Sequence, residues 1–255
     1  MVCVVRCIPV FCSACLCVLL SGCSDPAPKS QSAEELYAIG QKHYQEKKYK
    51  KALKAFEEVD SQHPHSTQAS SALMLAGDCA LQSKQYSRGV MLLDLFIEMH
   101  PMSPMIEKAF YWRSLCHYEM RGHFLTDQSH ANNALAAFND YLNRFPQGEY
   151  TNDVKAKRLI IIEDGMKKDM AMGRFYQQQR NWVGALRTFA AIESGGHADH
   201  FRAEALYESI VCFGHLGMHD AAQRLYAHMQ KSYANSPWLA KAAQVCASKS
   251  LSTQR

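Results

Sequence analysis

The stretch from Ala33 to Ser66, AEELYAIGQKHYQEKKYKKALKAFEEVDSQHPHS, decides the fold of this 255-residue chain. Six of its residues stand where each has a mechanical role in a pair of antiparallel helices. Gly40 on the first helix and Ala52 on the second are small, which allows the two helices to approach closely. Phe56 fills the wedge toward the next pair, and Pro64 stops the second helix. The stretch predicts a helical hairpin, and the six positions are Gly40, Tyr49, Ala52, Phe56, Val59 and Pro64.

The same arrangement recurs along the chain. The unit of 34 residues has the period of tetratricopeptide repeats, in which stacked hairpins bury a continuous core. Later units start near Ser70, Ile106 and Ala203, and about nine extra residues separate the helices of the third. Arg113 and Ile210 occupy positions where a small residue is expected. The matching residues are Gly77, Tyr86, Gly89, Leu93, Phe96 and Pro101 in the second unit; Ala134, Phe138, Tyr141 and Pro146 in the third; Gly173, Trp182, Ala185, Phe189 and Ile192 in the fourth; and Leu206, Ala222, Tyr226 and Met229 in the fifth.

The C-terminal end of the repeats has the features of a cap. Ser236-Pro237-Trp238 indicates the start of a further helix. Trp238, Leu239, Val245 and Cys246 are placed to cover the last repeat, as a solenoid requires. The sequence therefore predicts an all-α tetratricopeptide-repeat superhelix of about five helical hairpins plus a C-terminal capping helix. A disordered tail is expected over residues 249–255.

The first 22 residues have the features of an export signal. Their one charge is Arg6, and Pro9–Leu20 is an apolar run of about twelve residues, shorter than the roughly 20 that a membrane-spanning helix needs. Leu20-Ser21-Gly22-Cys23 resembles the bacterial lipoprotein box, because small residues admit the signal peptidase and a thiol can carry the lipid. We predict a cleaved signal peptide over 1–22, diacylglycerol and an N-acyl chain on Cys23, and a flexible tether over 23–32. A serine directly after the lipidated cysteine, here Ser24, is similar to the signal that sorts lipoproteins to the outer membrane. The protein would then lie on the periplasmic face of that membrane.

Composition and motifs exclude several classes of function. The formal charge of +4 is spread along the chain, which argues against nucleic acid as a partner. The sequence has no nucleophile elbow, no P-loop and no dinucleotide fingerprint. Histidine pairs lack a third ligand on a fixed element. The sequence therefore predicts no catalysis, no metal, and no cofactor except the lipid on Cys23. The histidine pairs are His63 with His65, His197 with His200, and His215 with His219.

Four cysteines lie beyond Cys23. Each stands among Ala, Leu or Val on an expected helix, which favours buried free thiols. An oxidising compartment would also permit disulfides, and four cysteines allow three pairings. The redox state therefore stays open for Cys79, Cys116, Cys212 and Cys246.

The first helices of stacked hairpins form the inner face of a superhelix, where such scaffolds bind peptides and partner domains. The repeat register places aromatic, soft apolar and polar side chains there, suited to an extended or helical apolar peptide. Several of them can instead pack between repeats, and the pattern does not distinguish the two roles. The candidates are Tyr37, Gln41, Tyr44, Met74, Asp78, Phe110, His117 and Tyr118.

The whole pattern resembles the BamD (ComL-like) family of lipoproteins of the outer-membrane β-barrel assembly machine. The first unit is similar to that family's first unit, with His63-Pro64-His65-Ser66 at the helix end where the family has Tyr-Pro-x-Ser. The segments 127–150 and 174–185 are also similar to the family's third and fourth units. The resemblance covers nearly all of the chain after Cys23. Departures are the cysteine-rich leader, Arg113, Ile210 and the loop SGGHADHF at residues 194–201.

This resemblance implies a non-enzymatic adaptor that assists recognition, folding and insertion of outer-membrane barrel proteins. Repeats over 33–104 would face C-terminal segments of unfolded barrel substrates, and 105–150 would be an elongated third repeat. Repeats and cap over 151–248 would dock on POTRA domains of the barrel assembly subunit, beside other assembly lipoproteins. Candidate cationic contacts to an acidic partner are Arg174, Arg180 and Arg187, the alternative being that these arginines are only solvated.

Two rival functions remain open at this point. Another tetratricopeptide lipoprotein, such as a pilotin for secretin or pilus assembly, would share the anchor and the fold and differ only in its partner. An enzyme or metal protein is the second rival, and no motif favours it.

Overall fold

The computed structural model describes residues 31–122, 129–194 and 198–250. These residues form eleven α-helices and no strand, which confirms the all-α prediction. The leader, the lipidation candidate Cys23, the tether before Gln31, Asp127 and His197 lie outside the described residues. The helices are α1 (Ala33–Gln45), α2 (Tyr49–Gln62), α3 (Ala69–Gln82), α4 (Tyr86–Met99), α5 (Ile106–Met120), α6 (Ser129–Arg144), α7 (Thr151–Gln178), α8 (Trp182–Ser194), α9 (Asp199–His215), α10 (His219–Ser232) and α11 (Pro237–Ser250).

The helices pack as five successive hairpins followed by a single helix. The hairpins are α1–α2, α3–α4, α5–α6, α7–α8 and α9–α10, and in the first four the second helix also packs on the first helix of the next hairpin. A capping box starts the first hairpin, because the Ser32 hydroxyl accepts from the Glu35 amide and the Glu35 carboxylate accepts from the Ser32 amide. The expected tetratricopeptide-type superhelix is therefore confirmed.

Close helix contact in these hairpins depends on glycine. A Cβ at Gly40 would lie 2.5 Å from the Phe56 ring, and one at Gly77 would lie 2.6 Å from Leu93. In the fourth hairpin Gly173 lies equally close to a phenylalanine ring, that of Phe189. Each glycine therefore accepts a large buried side chain from the second helix of its own hairpin. The close approach of the two helices was predicted, whereas Phe56 was expected in the wedge toward the next hairpin.

The third hairpin corrects the register expected from the sequence. Gly40, Gly77 and Ser114 follow at equal intervals of 37 residues, and Ser114 is fully buried. The small residue of this hairpin is thus Ser114, and the placement of Arg113 at that position is wrong. The Arg113 side chain extends instead between α4 and α6, to Asp94 and Asp140. The positions equivalent to Tyr37, Gln41 and Tyr44 are consequently Tyr111, Leu115 and Tyr118.

In the fifth hairpin Ile210 occupies the glycine position and is fully buried. Tyr226, the residue equivalent to Phe189, is only partly buried. The larger side chain on α9 thus fills the space that Phe56, Leu93 and Phe189 fill from the second helices of their hairpins.

Helix α7 is the main departure from a regular stack. It is 28 residues long, about twice the length of its neighbours. Val154 and Ile161 on its first half belong to the core of the third hairpin. Met166 and Met170 on its second half belong to the core built with α8 and α9. Among the described residues, extensive helix packing joins α1–α6 to α8–α11 only through α7.

The last helix closes the solenoid as predicted. Trp238 and Leu239 pack against the core of the fifth hairpin, and so do Val245 and Cys246. The Trp238 ring stacks on Tyr207 with a centroid separation of 5.2 Å. Ala242 completes the contact and is fully buried. The apolar end of α9 and α10 is thereby shielded from water.

Candidate functional site: the inner face of the first three hairpins

Helices α1, α3 and α5 lie side by side, because α1 packs on α3 and α3 packs on α5. Their second helices pack on the opposite side, so the side chains of α1, α3 and α5 that point away from α2, α4 and α6 form the inner face. These side chains repeat at intervals of 37 residues and form three rows across the three helices. The rows are Ala38, Leu75 and Trp112; Gln41, Asp78 and Leu115; and Gln45, Gln82 and Glu119.

The first row gives the inner face an apolar strip. Leu75 and Trp112 are each partly buried and pack on the core of the first hairpins. The Lys108 ammonium lies 4.6 Å from the centre of the Trp112 ring. Neither Leu75 nor Trp112 is among the residues predicted from the sequence. The interval of 37 residues from Ala38 is the signal that identifies them.

The structure divides the eight predicted peptide-binding residues into two groups. Met74, Asp78, Phe110 and Tyr118 are buried, with 1 to 8% of their surfaces exposed, so they pack between helices. The other four keep surface accessible to a ligand. Gln41 is exposed, and the partly buried members are Tyr37, Tyr44 and His117.

Tyr44 and Asp78 connect the first two hairpins across the inner face. The Tyr44 hydroxyl donates to Asp78 Oδ2 in a short hydrogen bond, and Gln82 donates to Asp78 Oδ1 at 3.2 Å. Burial and the bond to Asp78 raise the pKa of Tyr44 far above its ordinary value, so the phenol stays a donor. The Tyr44 ring also meets Tyr49 edge-on at 5.7 Å. These two hydrogen bonds satisfy the buried Asp78 carboxylate, and the one from Tyr44 links α1 to α3.

A second aromatic contact joins α5 to α7. Tyr111 stacks on Tyr150 at 4.2 Å, and its hydroxyl donates to Asp153 at 2.9 Å. Burial and this bond raise the pKa of Tyr111 well above its usual range. Sequence reasoning missed Tyr111 because it placed the third hairpin one residue out of register. Tyr111 therefore extends the inner face to the start of α7.

His117 lines a polar cleft between α4, α5 and α6, and the buried Phe110 contacts Arg113, another residue of the lining. The Phe110 ring lies between the guanidinium groups of Arg113 and Arg144, at 4.7 and 4.8 Å. Although burial would raise it, hydrogen bonds from Arg144 and Arg113 lower the pKa of Asp140 below its ordinary value. Burial, together with Arg113, lowers the pKa of His117. Asn133 also lines this cleft of about 460 Å³, which lies away from the apolar strip.

The three arginines predicted for partner docking differ in their surroundings. Arg174 bridges α7 to α9 through Glu204 and, at 3.8 Å, Glu208. Arg180 and Arg187 are exposed, and neither forms an ion pair within the described part of the chain. Arg180 adopts φ +57° in the turn between α7 and α8. Arg174 therefore has a structural role, whereas Arg180 and Arg187 remain available to a partner.

The four described cysteines are free thiols. Burial raises the pKa of Cys79 and of Cys116 to about 12, which makes them unreactive at neutral pH. Cys212 is also buried, and Cys246 is partly exposed. Over the described ranges, His, Cys, Asp and Glu side chains nowhere gather in threes as a metal site would need.

Stacked helical hairpins, a part-apolar inner face and a closing helix define a tetratricopeptide-type binding scaffold. The family model described as "YfiO: Outer membrane lipoprotein" matches residues 29–229. The chain belongs to this family.

Curated relatives cover most of the chain. It is 26% identical over 225 residues to the outer membrane protein assembly factor BamD of Caulobacter vibrioides, covering 86% of this chain and 74% of that protein. It is 29% identical over 192 residues to the protein of the same name from Rickettsia prowazekii, covering 75% and 76%. A solved structure titled as the TPR2AB domain and pHSP90 complex of yeast Sti1 aligns with TM-score 0.44 and 11% identity, over 87% of this chain and 84% of that one. Within the described ranges, no helix has the length and apolar character needed to cross a bilayer.

Proposed function

We propose that this protein is an outer-membrane protein assembly factor that works by binding and not by catalysis. The observation that carries the proposal is the family match over residues 29–229, together with BamD relatives that align over most of their own length. The architecture supports it, since a helical solenoid offers extended surfaces to partner chains. Lipid on Cys23 would hold the scaffold at the periplasmic face of the outer membrane.

The inner face of α1, α3 and α5 is proposed as the surface that receives C-terminal segments of unfolded barrel proteins. Its apolar strip ends in Trp112, and Tyr111 lies next to that residue on α5. Such rings pack well on the alternating aromatic side chains of a β-strand segment. Tyr37, Gln41 and Tyr44 would add contacts at the other end. The Gln41 amide and the Tyr37 phenol can hydrogen-bond the backbone of an extended peptide.

A pair of variants tests the inner face. Trp112→Ala combined with Tyr37→Ala should weaken binding of an aromatic-ended barrel peptide by about tenfold, since aromatic anchors dominate such interfaces. Met91→Ala is the matched control, because Met91 is an exposed apolar residue of α4. Fluorescence anisotropy gives the affinities, and thermal melts verify that each variant is folded. Equal affinities for the double variant and the control would place the peptide elsewhere.

The C-terminal hairpins are proposed as the surface for POTRA domains of the barrel assembly subunit. Arg180 and Arg187 supply exposed positive charge without an internal counterion. Charge reversal at both positions should slow association and reduce its salt dependence. Surface plasmon resonance with the isolated POTRA domains measures both quantities, and unchanged kinetics would exclude these arginines.

The function as a whole is tested by affinity purification of the tagged protein from detergent-solubilised envelope. Mass spectrometry should recover a POTRA-containing outer-membrane barrel protein, with other assembly lipoproteins. Depletion of the protein should then lower the amount of folded barrel proteins in the outer membrane. Recovery of secretin or pilus subunits in place of the barrel protein would overturn the proposal.

A further inference from the structure

A basic groove runs along the outer side of the first two hairpins. It consists of two cavities of about 330 and 520 Å³ that share Lys50 and Ser83. Tyr49 and Leu53 contribute apolar surface to the lining. Most of the remaining lining is cationic and comes from the α1–α2 turn, α2, the α3–α4 turn and the start of α4: Lys47, Lys48, Lys50, Lys51, Lys54, Lys84 and Arg88.

Part of this charge is neutralised within the fold. Lys48 contacts Glu46 at 2.8 Å, Lys54 lies 3.9 Å from Glu58, and Arg88 contacts Glu57. The other four cations are exposed and form no ion pair with any described residue. Their combined charge equals the formal net charge of the entire chain, +4. These four are Lys47, Lys50, Lys51 and Lys84.

These lysines do not stabilise the hairpins that carry them. Lys50 and Lys51 lie in the first turn of α2, where the helix dipole disfavours positive charge and where no acidic residue balances them. Lys47 and Lys84 adopt φ +55° and +62°, a conformation that suits glycine or asparagine better. A charge placement that opposes local stability is typical of a binding surface.

We propose that this groove binds an acidic, extended polypeptide segment of another envelope protein. The positive charge of the groove complements the carboxylates of the segment. The apolar lining of Tyr49 and Leu53 accommodates the methylene groups of the acidic side chains. The two cavities share Lys50 and Ser83, so the cationic side chains follow one another along α2, and an extended chain can contact several of them in succession. The groove lies on the side of α2 away from the inner face and does not depend on the function proposed for that face.

The groove is tested with a fluorescein-labelled eight-residue peptide of alternating glutamate and serine, and with its glutamine counterpart. The full-length protein in a non-ionic detergent should bind the glutamate peptide at least about tenfold more tightly at low salt, with the advantage lost as salt screens the charges. The variant Lys50→Glu/Lys84→Glu should lose that advantage. Equal affinity for both peptides would overturn the proposal.

The matched control is Lys155→Glu/Lys231→Glu, which makes the same change in net charge at exposed lysines of α7 and α10. It should weaken the glutamate peptide less than about twofold, since neither lysine lines the groove and the effect of a charge falls with distance and salt. If both double variants weakened peptide binding equally, the effect would be one of net charge alone, and the proposal for the groove would be overturned. Thermal melts exclude unfolding, because glutamate at position 50 suits the start of a helix.

A third arm distinguishes a lipid headgroup from a peptide. Glycerophosphoglycerol, the soluble headgroup of phosphatidylglycerol, is added as a competitor at millimolar concentration. It should leave the bound glutamate peptide in place, because a single phosphate occupies only part of the groove. Displacement of the peptide by this competitor would assign the groove to a phospholipid and overturn the proposal.

Discussion

At the scale of the residue, the contact between paired helices is set by single atoms. Gly40 and Gly77 lack the Cβ that would collide with Phe56 and Leu93. Gly165, on α7, has open space around the position of its missing Cβ. Replacing a helical glycine by alanine is therefore expected to change the stability of the fold in opposite directions, depending on the side chain that faces the glycine.

Gly40→Ala is expected to lower the free energy of unfolding by about 1–3 kcal/mol, because the new methyl group overlaps the buried Phe56 ring. Gly165→Ala is the matched control, and it should raise stability by about 0.5–1 kcal/mol through its better helix propensity. Urea denaturation followed by circular dichroism measures both. Equal changes in the two variants would contradict the close contact at Gly40.

Tyr141 gives a prediction about pH. Its hydroxyl donates to Glu107 at 2.6 Å and accepts from the Tyr150 amide at 3.1 Å. Burial and the bond to Glu107 raise the pKa of Tyr141 to about 12. The folded-state pKa lies above the unfolded value of about 10, so this stabilisation is complete below pH 10 and is lost as the pH rises toward 12.

Tyr141→Phe should therefore lower the free energy of unfolding by about 1–3 kcal/mol at pH 7, because it leaves the partly buried Glu107 carboxylate and Tyr150 amide without this partner. The difference between the two proteins should shrink between pH 10 and pH 12. Urea denaturation at a series of pH values measures it. A difference that stays constant over that range would show that the phenol does not titrate with a raised pKa.

At the scale of the element, α7 has a role that no other described helix shares. Its first half contributes Val154 and Ile161 to one core, and its second half contributes Met166 and Met170 to the next. The buried residues of the two halves lie on different faces of the helix, so no single apolar stripe runs along it. Mechanical continuity between the two sets of hairpins consequently rests on the hydrogen bonds of one helix.

Gly165→Pro interrupts α7 near its centre and should cost about 3 kcal/mol or more, because it removes a helical hydrogen bond and clashes with the preceding turn. We expect α1–α6 and α8–α11 of this variant to unfold at separate denaturant concentrations. Hydrogen exchange read by mass spectrometry resolves the two sets of helices. The alanine variant at the same position should keep them coupled, and coincident unfolding in the proline variant would contradict the role of α7.

At the scale of the whole molecule, the proposed binding surfaces are distributed over separately packed parts. The inner face belongs to α1, α3 and α5, the basic groove to the outer side of α2 and the α3–α4 turn, and the exposed Arg180 and Arg187 to the fourth hairpin. A scaffold of this kind can hold several chains at once without competition between them. A lipid anchor at Cys23 would attach this scaffold to the membrane as well.

Cys23→Ala should release the protein from the outer membrane, because it removes the only thiol at the expected acylation position. Cys17→Ala, within the leader, is the matched control and should leave the protein anchored. Metabolic labelling with radioactive palmitate reports acylation, and fractionation after a high-salt wash reports attachment without protein partners. A washed Cys23→Ala protein that remains in the membrane fraction would contradict the anchor.

Much of the fold could be predicted from the sequence, because a helical hairpin is a local structure. Small residues, aromatic residues and prolines recur at fixed spacings, and those spacings place the hairpins and the closing helix around Trp238 correctly. The lipoprotein box at Cys23 is equally a matter of local order, and it stays a prediction. The inner face was also expected on the right helices, since the first helices of such repeats line it.

Tertiary structure decided what depends on packing between hairpins. The register of the third hairpin follows from Ser114, not Arg113, because the small side chain is fully buried while the Arg113 guanidinium reaches Asp94 and Asp140. Burial removed Met74, Phe110 and Tyr118 from the accessible surface and left Leu75 and Trp112 on it. A one-residue change of register rotates a helix by about 100°, enough to exchange a core position for a surface position. Sequence spacing therefore determined the hairpins, and the contacts between them determined which side chains a partner can reach.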